Sequence, residues 1–217
     1  MKYEADTALG IKVHAHLKSL NIETPFKPTV PNAKVIADHF AAIMQEMGLD
    51  LTDDSLQDTP KRFAKMYATE IFYGLDYDNF PKATVVENKM HYNEMVLERN
   101  ITVHSTCEHH TSSIIGKAFV AYIPNQKVLG LSKLNRIVDF FSRRPQIQER
   151  LTAQIHATLK FILETENVAV VIQAEHMCVK LRGVQDACSD TVTSQLSGDF
   201  LKPAVRAEFF SLAKGLS

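Results

Sequence analysis

Tryptophan is absent from the 217-residue sequence and cysteine occurs only three times. An odd number of thiols in a chain of this length does not make a disulfide framework, so the cysteines are read as reduced and available for reactivity or ligation. Long apolar runs are missing as well. None approaches the ~18 residues of a membrane span, and the opening MKYEADTALGIKVHAHLKSL lacks the apolar core of a secretory signal. Neither sign of charge dominates: 24 Lys and Arg stand against 25 Asp and Glu, a formal net charge of -1. No global field therefore attracts a polyanion such as duplex nucleic acid, and any anion must be bound locally. These absences predict a soluble cytoplasmic protein with neither nucleic acid nor membrane as partner. Repeats and low-complexity segments are also lacking.

What is present suffices for a sizeable core, with 45% hydrophobic and 23% charged residues, so disorder as the main state is excluded. The first third reads helical. Residues 5 to 20 put Leu9, Val13, Leu17 and Leu20 on one face, followed by a hinge, ETPFKPTVPN, with three prolines. A second helix is expected from Asn32 to about Met47, its stripe made of Ile36, Phe40, Ile43, Met44 and Met47, with Gly48 at its C-terminal end. A third is expected from Thr59 as N-cap and Pro60 to Gly74. After Phe80 the composition shifts to β-branched runs at 83–88, 94–105, 114–123, 168–175 and 190–197, which predict a largely antiparallel sheet. Between them, one helix is expected from a Ser132 cap to about Ser142 and another from Pro145 to about Glu164, buried through Leu151, Ile155, Leu159 and Ile162. A last helix is expected at 203–214. Helices segregated in sequence from an antiparallel sheet predict an α+β fold. The expected organisation is a helical region over 1–80 and a catalytic domain over 81–217.

Reactive side chains concentrate at Cys107-Glu108-His109-His110 and His176-Met177-Cys178. Two thiolates and one imidazole, from Cys107, His110 and Cys178, are ligands that zinc selects, and three protein ligands with one open position characterise a catalytic site. A C-x-x-H pattern alone is common, and a buried cysteine is more often a small hydrophobe; the second cluster is what points to one site. Cys188, His14, His16, His104 and His156 lack clustered partners and are assigned no role. Ser132, Lys133 and Arg136 open a helix, where free N–H groups and the dipole favour phosphate. Arg143, Arg144, Lys180 and Arg182 extend the basic set, and Arg182, four residues past Cys178, shares that residue's side on an extended chain. Gln148 and Glu149 begin the next helix, and the carboxylate can pair with the N–H and NH₂ edge of guanine.

Taken in order, CEHH, GKAFVAYIP, VLGLSKLNRIVDFFSRRPQIQERLT and HMCVKLRGVQD closely resemble the successive signatures of the GTP cyclohydrolase I family of zinc enzymes. DTPKRFAKMY and ENKMHYNEMVLERNITVHSTCEHH extend the resemblance over nearly the whole chain, the first thirty residues matching loosely. The resemblance implies a tunnelling fold, an antiparallel sheet with two helices on one side preceded by a helical part. It also implies a homodecamer, a dimer of pentamers, with sites at subunit boundaries. The implied reaction converts GTP and water to 7,8-dihydroneopterin triphosphate and formate, the first step toward folate and tetrahydropterin. By residue, it implies Zn²⁺ on Cys107, His110 and Cys178, proton transfer by His109 and His176 with Ser132 assisting, and guanine recognition by Glu149 with Gln148 beside it. Lys133, Arg136 and Arg182 are implied to handle ribose and triphosphate, and Arg62 and Lys65 to add to the phosphate cradle. One departure is local: after CEHH the family usually continues with apolar residues, whereas Thr111, Ser112 and Ser113 follow here.

Overall fold

A computed structural model describes residues 3–214. Helix α1 (Thr7–Ser19) is capped by the Asp6 carboxylate, which accepts from the Leu9 amide, and buries Val13 and Leu17. Leu20, expected on the same face, is 47% exposed because it is the C-cap and the chain turns away at Asn21, whose φ is 56°. Residues 24–32 form no regular element, as three prolines in ten residues dictate. Helix α2 (Ala33–Glu46) starts at Asn32, whose side chain accepts from the Lys34 and Val35 amides. Of its expected stripe only Met44 is fully buried; Ile43 and Met47 face solvent, because one helix, α3 (Thr59–Lys65), covers this face. Asp58, not Thr59, occupies the cap position of α3, and Thr59 with Pro60 makes its first turn. Beyond Lys65 the helix widens into a π-helical stretch, Met66–Ile71, and a 3₁₀ turn at Tyr73–Leu75 ends it. Gly74 is required there: a Cβ would lie 2.1 Å from the Phe140 carbonyl oxygen.

Strands β2 (Val96–Cys107), β3 (Ser113–Tyr122), β6 (Val168–His176) and β7 (Thr191–Leu196) pair antiparallel in sequence, and β5 (Pro145–Gln146) joins the β2 edge in parallel. Strands β1 (Val85–Glu87) and β4 (Lys127–Leu129) make a separate ribbon. Helices α4 (Leu131–Ser142) and α5 (Gln148–Leu163) lie on one face of the sheet, with α1 against α5. Their core joins Leu134, Ile137, Phe141, Leu151, Ile155 and Leu159 to Val103, Ala118, Val120, Val170 and Ile172. On the opposite face Phe200 and helix α7 (Pro203–Ala213) cover Ala121, Ala169 and Val171. The architecture is α+β, as the segregation of the two periodicities predicts.

Two more helix starts differ from expectation. Gly130, extended at φ -60° and ψ 132°, takes the cap position of α4, which leaves Ser132 inside the first turn. Pro145 opens no helix; it pairs with Thr106 at a sheet edge, where the missing N–H costs no ladder bond, and α5 begins only after extended Ile147. Among the described residues no helix is long and apolar enough to cross a membrane.

Candidate metal centre and active site

Strand β2 ends at Cys107 and the chain returns into β3 through a tight loop. The Cys107 amide donates to the Ser112 carbonyl at 2.8 Å and the Thr111 amide to the Cys107 carbonyl at 2.9 Å. Closing so short a loop puts Thr111 at φ 51°, a left-handed conformation that β-branched residues rarely adopt. The Tyr67 hydroxyl, supplied by the π-helical stretch, donates to the Thr111 carbonyl at 3.3 Å and braces this turn. Strand β6 lies beside β3, and past His176 it turns into a single helical turn, α6 (Met177–Lys180), that carries Cys178. Cys178 was expected on a strand; past this turn the chain bends at Leu181 and Arg182, and Arg182 Nη1 lies 2.6 Å from His110 Nε2.

One ligand atom each from Cys107, His110 and Cys178 lies within 4.8 Å of the others. Zn–S bonds near 2.3 Å and Zn–N bonds near 2.0–2.1 Å in a tetrahedron place ligand atoms roughly 3.5–3.8 Å apart, so the three need close only by about an ångström. Two sulfurs and an imidazole are also the right chemistry for zinc. The residues therefore fit the group and could hold a metal. Burial pushes the Cys178 thiol up, Cys107 beside it adds to that, and the Ser112 hydroxyl acts the other way.

His176 stands where β6 ends, two residues before Cys178. Its Nε2 is 2.8 Å from Gln148 Oε1. Gln148 is buried, and its amide nitrogen faces the carbonyls of Ile172 (3.0 Å) and Thr191 (2.9 Å) and the Thr193 hydroxyl (3.1 Å). Carbonyls can only accept, so the NH₂ group must face them and Oε1 must face His176. Neutral His176 thus carries its proton on Nε2 and leaves Nδ1 as an acceptor. The Gln148 side chain, expected beside a base, is committed to this internal network. Burial lowers the proton affinity of His176, while the charge of Glu149 raises it, which puts exposed Glu149 near this imidazole.

Glu108 and Arg150 are contributors that the sequence pattern did not single out. Arg150 Nη1 donates to Glu108 Oε2 at 2.6 Å, and this guanidinium holds the carboxyl below its usual range. The pair ties the loop between β2 and β3 to α5, and the Glu108 amide donates to the Gln146 carbonyl at 3.1 Å. His109 is exposed at the loop tip, with Nδ1 4.0 Å from Cys107 Sγ.

Other expected site residues stand elsewhere on the chain. Ser132, Lys133 and Arg136 follow Leu129, whose amide donates to the Tyr122 hydroxyl at 3.0 Å. Tyr122 ends β3 and Ser113 begins it, nine steps of ~3.3 Å apart, so α4 starts toward the end of that strand opposite the cysteines. There Arg136 lies 4.9 Å over the Tyr3 ring. Glu4 is held below its usual range chiefly by Lys82, with Lys133 and Arg136 adding. Arg62 and Lys65 are exposed on α3. Of the histidines assigned no role, His156 is buried with Nε2 2.9 Å from Ser197 Oγ, and His14 stacks on Tyr77 at 4.5 Å, both packing roles. Cys188 is exposed.

A sheet end that gathers two thiols and an imidazole able to hold a metal, beside an oriented histidine and a carboxylate, has the makings of an enzyme's active site. Comparison with known proteins gives the kind. A family profile described as GTP cyclohydrolase I matches residues 36–214. A protein named GTP cyclohydrolase 1 from Shewanella denitrificans is 56% identical over 210 residues, spanning 94% of this chain and 97% of its own length. Relatives of the same name are 54% identical in Aeromonas salmonicida (95% and 97% of the two lengths) and 57% identical in an Enterobacter species (87% of each). The chain belongs to the GTP cyclohydrolase I family.

Proposed function

We propose that this chain hydrolyses GTP at the imidazole ring of guanine, releasing C8 as formate and yielding 7,8-dihydroneopterin triphosphate. The observation that carries the reading is the convergence of Cys107, His110 and Cys178 within 4.8 Å, in a chain that matches this family along most of its length. Zinc, if held by these three residues, would supply the Lewis acidity that makes water a nucleophile near neutral pH. His176, fixed by Gln148 through Nε2, takes up at Nδ1 the proton that the attacking water loses and passes it to the ring nitrogen that gains electron density, a contribution typically worth ~10²–10⁴-fold. His109, exposed at the loop tip, and Ser132 serve the later proton transfers at the sugar. Glu149 accepts from the N–H and NH₂ edge of guanine. Lys133, Arg136, Arg182, Arg62 and Lys65 bind a triphosphate that does not react, so remote binding energy orients the purine.

The tunnelling fold and a homodecamer with sites between subunits belong to this reading. The placing of Ser132, Lys133 and Arg136 on α4, which starts toward the end of β3 opposite the cysteines, supports it, because two copies can join what one chain holds apart. A reducing compartment such as the cytoplasm fits two free thiols this close together. Incubation of the purified protein with GTP, following formate and pterin fluorescence, tests the proposal. Equimolar formation of both is expected; a pterin signal without formate, or neither product, would reject it.

A further inference from the structure

The loop between β2 and β3 contains a hydroxyl that the proposed chemistry leaves unused. Ser112 Oγ is shut off from solvent and has no hydrogen-bond partner. A buried hydroxyl without a partner costs about 1–3 kcal/mol, so a state of the protein that gives it one is favoured. Its position says which partner. In the β2–β3 ladder Thr106 pairs with Ser113, so the next row sets Cys107 against Ser112, and the Cys107 amide indeed donates to the Ser112 carbonyl at 2.8 Å. In the β3–β6 ladder Ile114 pairs with His176, and two rows further the same register brings Ser112 to Cys178, at the point where β6 turns into α6. Residues in one row of a sheet project to the same face. Ser112 thus stands opposite Cys107, and the ligand atoms of Cys107 and Cys178 lie within 4.8 Å of one another.

We infer that Ser112 is a positioning residue of the metal centre, its hydroxyl donating a hydrogen bond to the Cys178 thiolate when the ion is bound. The inference rests on the metal reading given above and adds a partner outside the ligand set. Such a bond fixes the direction of the sulfur lone pairs and stabilises the anion that the ion requires; partners of this kind are typically worth 10–100-fold in metal affinity. Neighbouring Thr111 and Ser113 do not substitute. The Thr111 hydroxyl is turned to the His110 carbonyl at 2.8 Å, and Ser113 alternates to the other face.

Cobalt(II) added to the metal-free full-length protein gives two readouts without turnover, the sulfur-to-cobalt charge-transfer band and, by competition with zinc, the zinc affinity. Ser112→Ala is expected to bind zinc on the order of tenfold more weakly and to move the band to lower energy, because a thiolate relieved of a hydrogen bond gives up its electron more readily. Ser112→Thr keeps the hydroxyl and is expected to restore both, whereas Ser112→Val, its isostere without one, is not. The Thr and Val pair decides the matter if Ala fails to fold. A band and affinity identical between Ser112→Thr and Ser112→Val, or between Ser112→Ala and the parent, overturns the role of Ser112 and leaves the metal reading standing. No charge-transfer band in the parent protein overturns the metal reading itself, and this inference with it.

Discussion

Arg144 lies in the connection between α4 and α5 and is fully buried. Its Nη1 is 3.1 Å from Glu23 Oε1 and 3.3 Å from the Tyr77 hydroxyl, its Nη2 donates to the Gly74 carbonyl, and its guanidinium lies about 5 Å over the rings of Phe140 and Phe141. Glu23 comes from the proline-rich segment after α1, and its side chain is only 8% exposed. Replacing Arg144 by Met keeps an apolar body against the rings but strands the Glu23 charge, a change that costs about 3–5 kcal/mol. Removing the charge on both sides, with Arg144→Met and Glu23→Gln together, leaves an amide that still accepts from the Thr24 amide, 2.7 Å from Glu23 Oε1. The double variant should therefore recover at least half of the loss. Urea unfolding at one protein concentration, followed by circular dichroism, measures both. With a slope of about 3 kcal/mol/M, the single substitution should lower the midpoint by roughly 1–1.7 M and the double by less than half of that. A single variant within about 0.3 M of the parent, or a double variant less stable than the single, would refute the assignment of a charge dependent on its partner.

Two further outcomes are expected. Burial lowers the His156 pKa from 6.5 to about 4. Between those values the unfolded chain binds a proton that the folded protein refuses, so this stability is complete above about pH 6.5 and drains away as the pH falls toward 4, by about 3 kcal/mol in all. His156→Gln should flatten that part of a stability-against-pH curve, and an unchanged slope would exclude His156 as its source. Glu149→Gln presents an NH₂ group to the donors of guanine and should raise the dissociation constant for GTP by about 2–4 kcal/mol equivalent, or some 30- to 1000-fold; equal affinity by calorimetry would remove Glu149 from base recognition.

The four long strands and the long helices of this chain were legible because their signals are local: β-branched runs such as AVVIQ in β6, and an apolar face at Leu151, Ile155, Leu159 and Ile162 in α5. What was misjudged depends on tertiary partners. Pro145 has the features of a helix start until the edge of β2 offers Thr106 as a partner. Ser132 has those of a cap until Gly130 adopts the extended cap conformation first. The π-helical widening at Met66–Ile71 leaves no periodic mark, although it places Tyr67 against the loop between β2 and β3. At the site, the residue types of Cys107, His110 and Cys178 marked themselves by chemistry, and the sheet register explains why they meet. Gln148 and Arg150 could not be assigned their contacts from sequence, since the first depends on carbonyls of β6 and β7 and the second on a carboxylate across the loop. The separation of Ser132, Lys133 and Arg136 from the cysteines was likewise invisible, because only the direction of α4 relative to β3 sets it.

The proposed reaction requires one ion bound by Cys107, His110 and Cys178, which metal analysis alongside turnover can measure. One zinc per chain is predicted in protein that releases formate from GTP, with both lost on stripping by a chelator, both restored by zinc, and neither recoverable in Cys107→Ser. Full formate release by stripped protein containing no transition metal would contradict it.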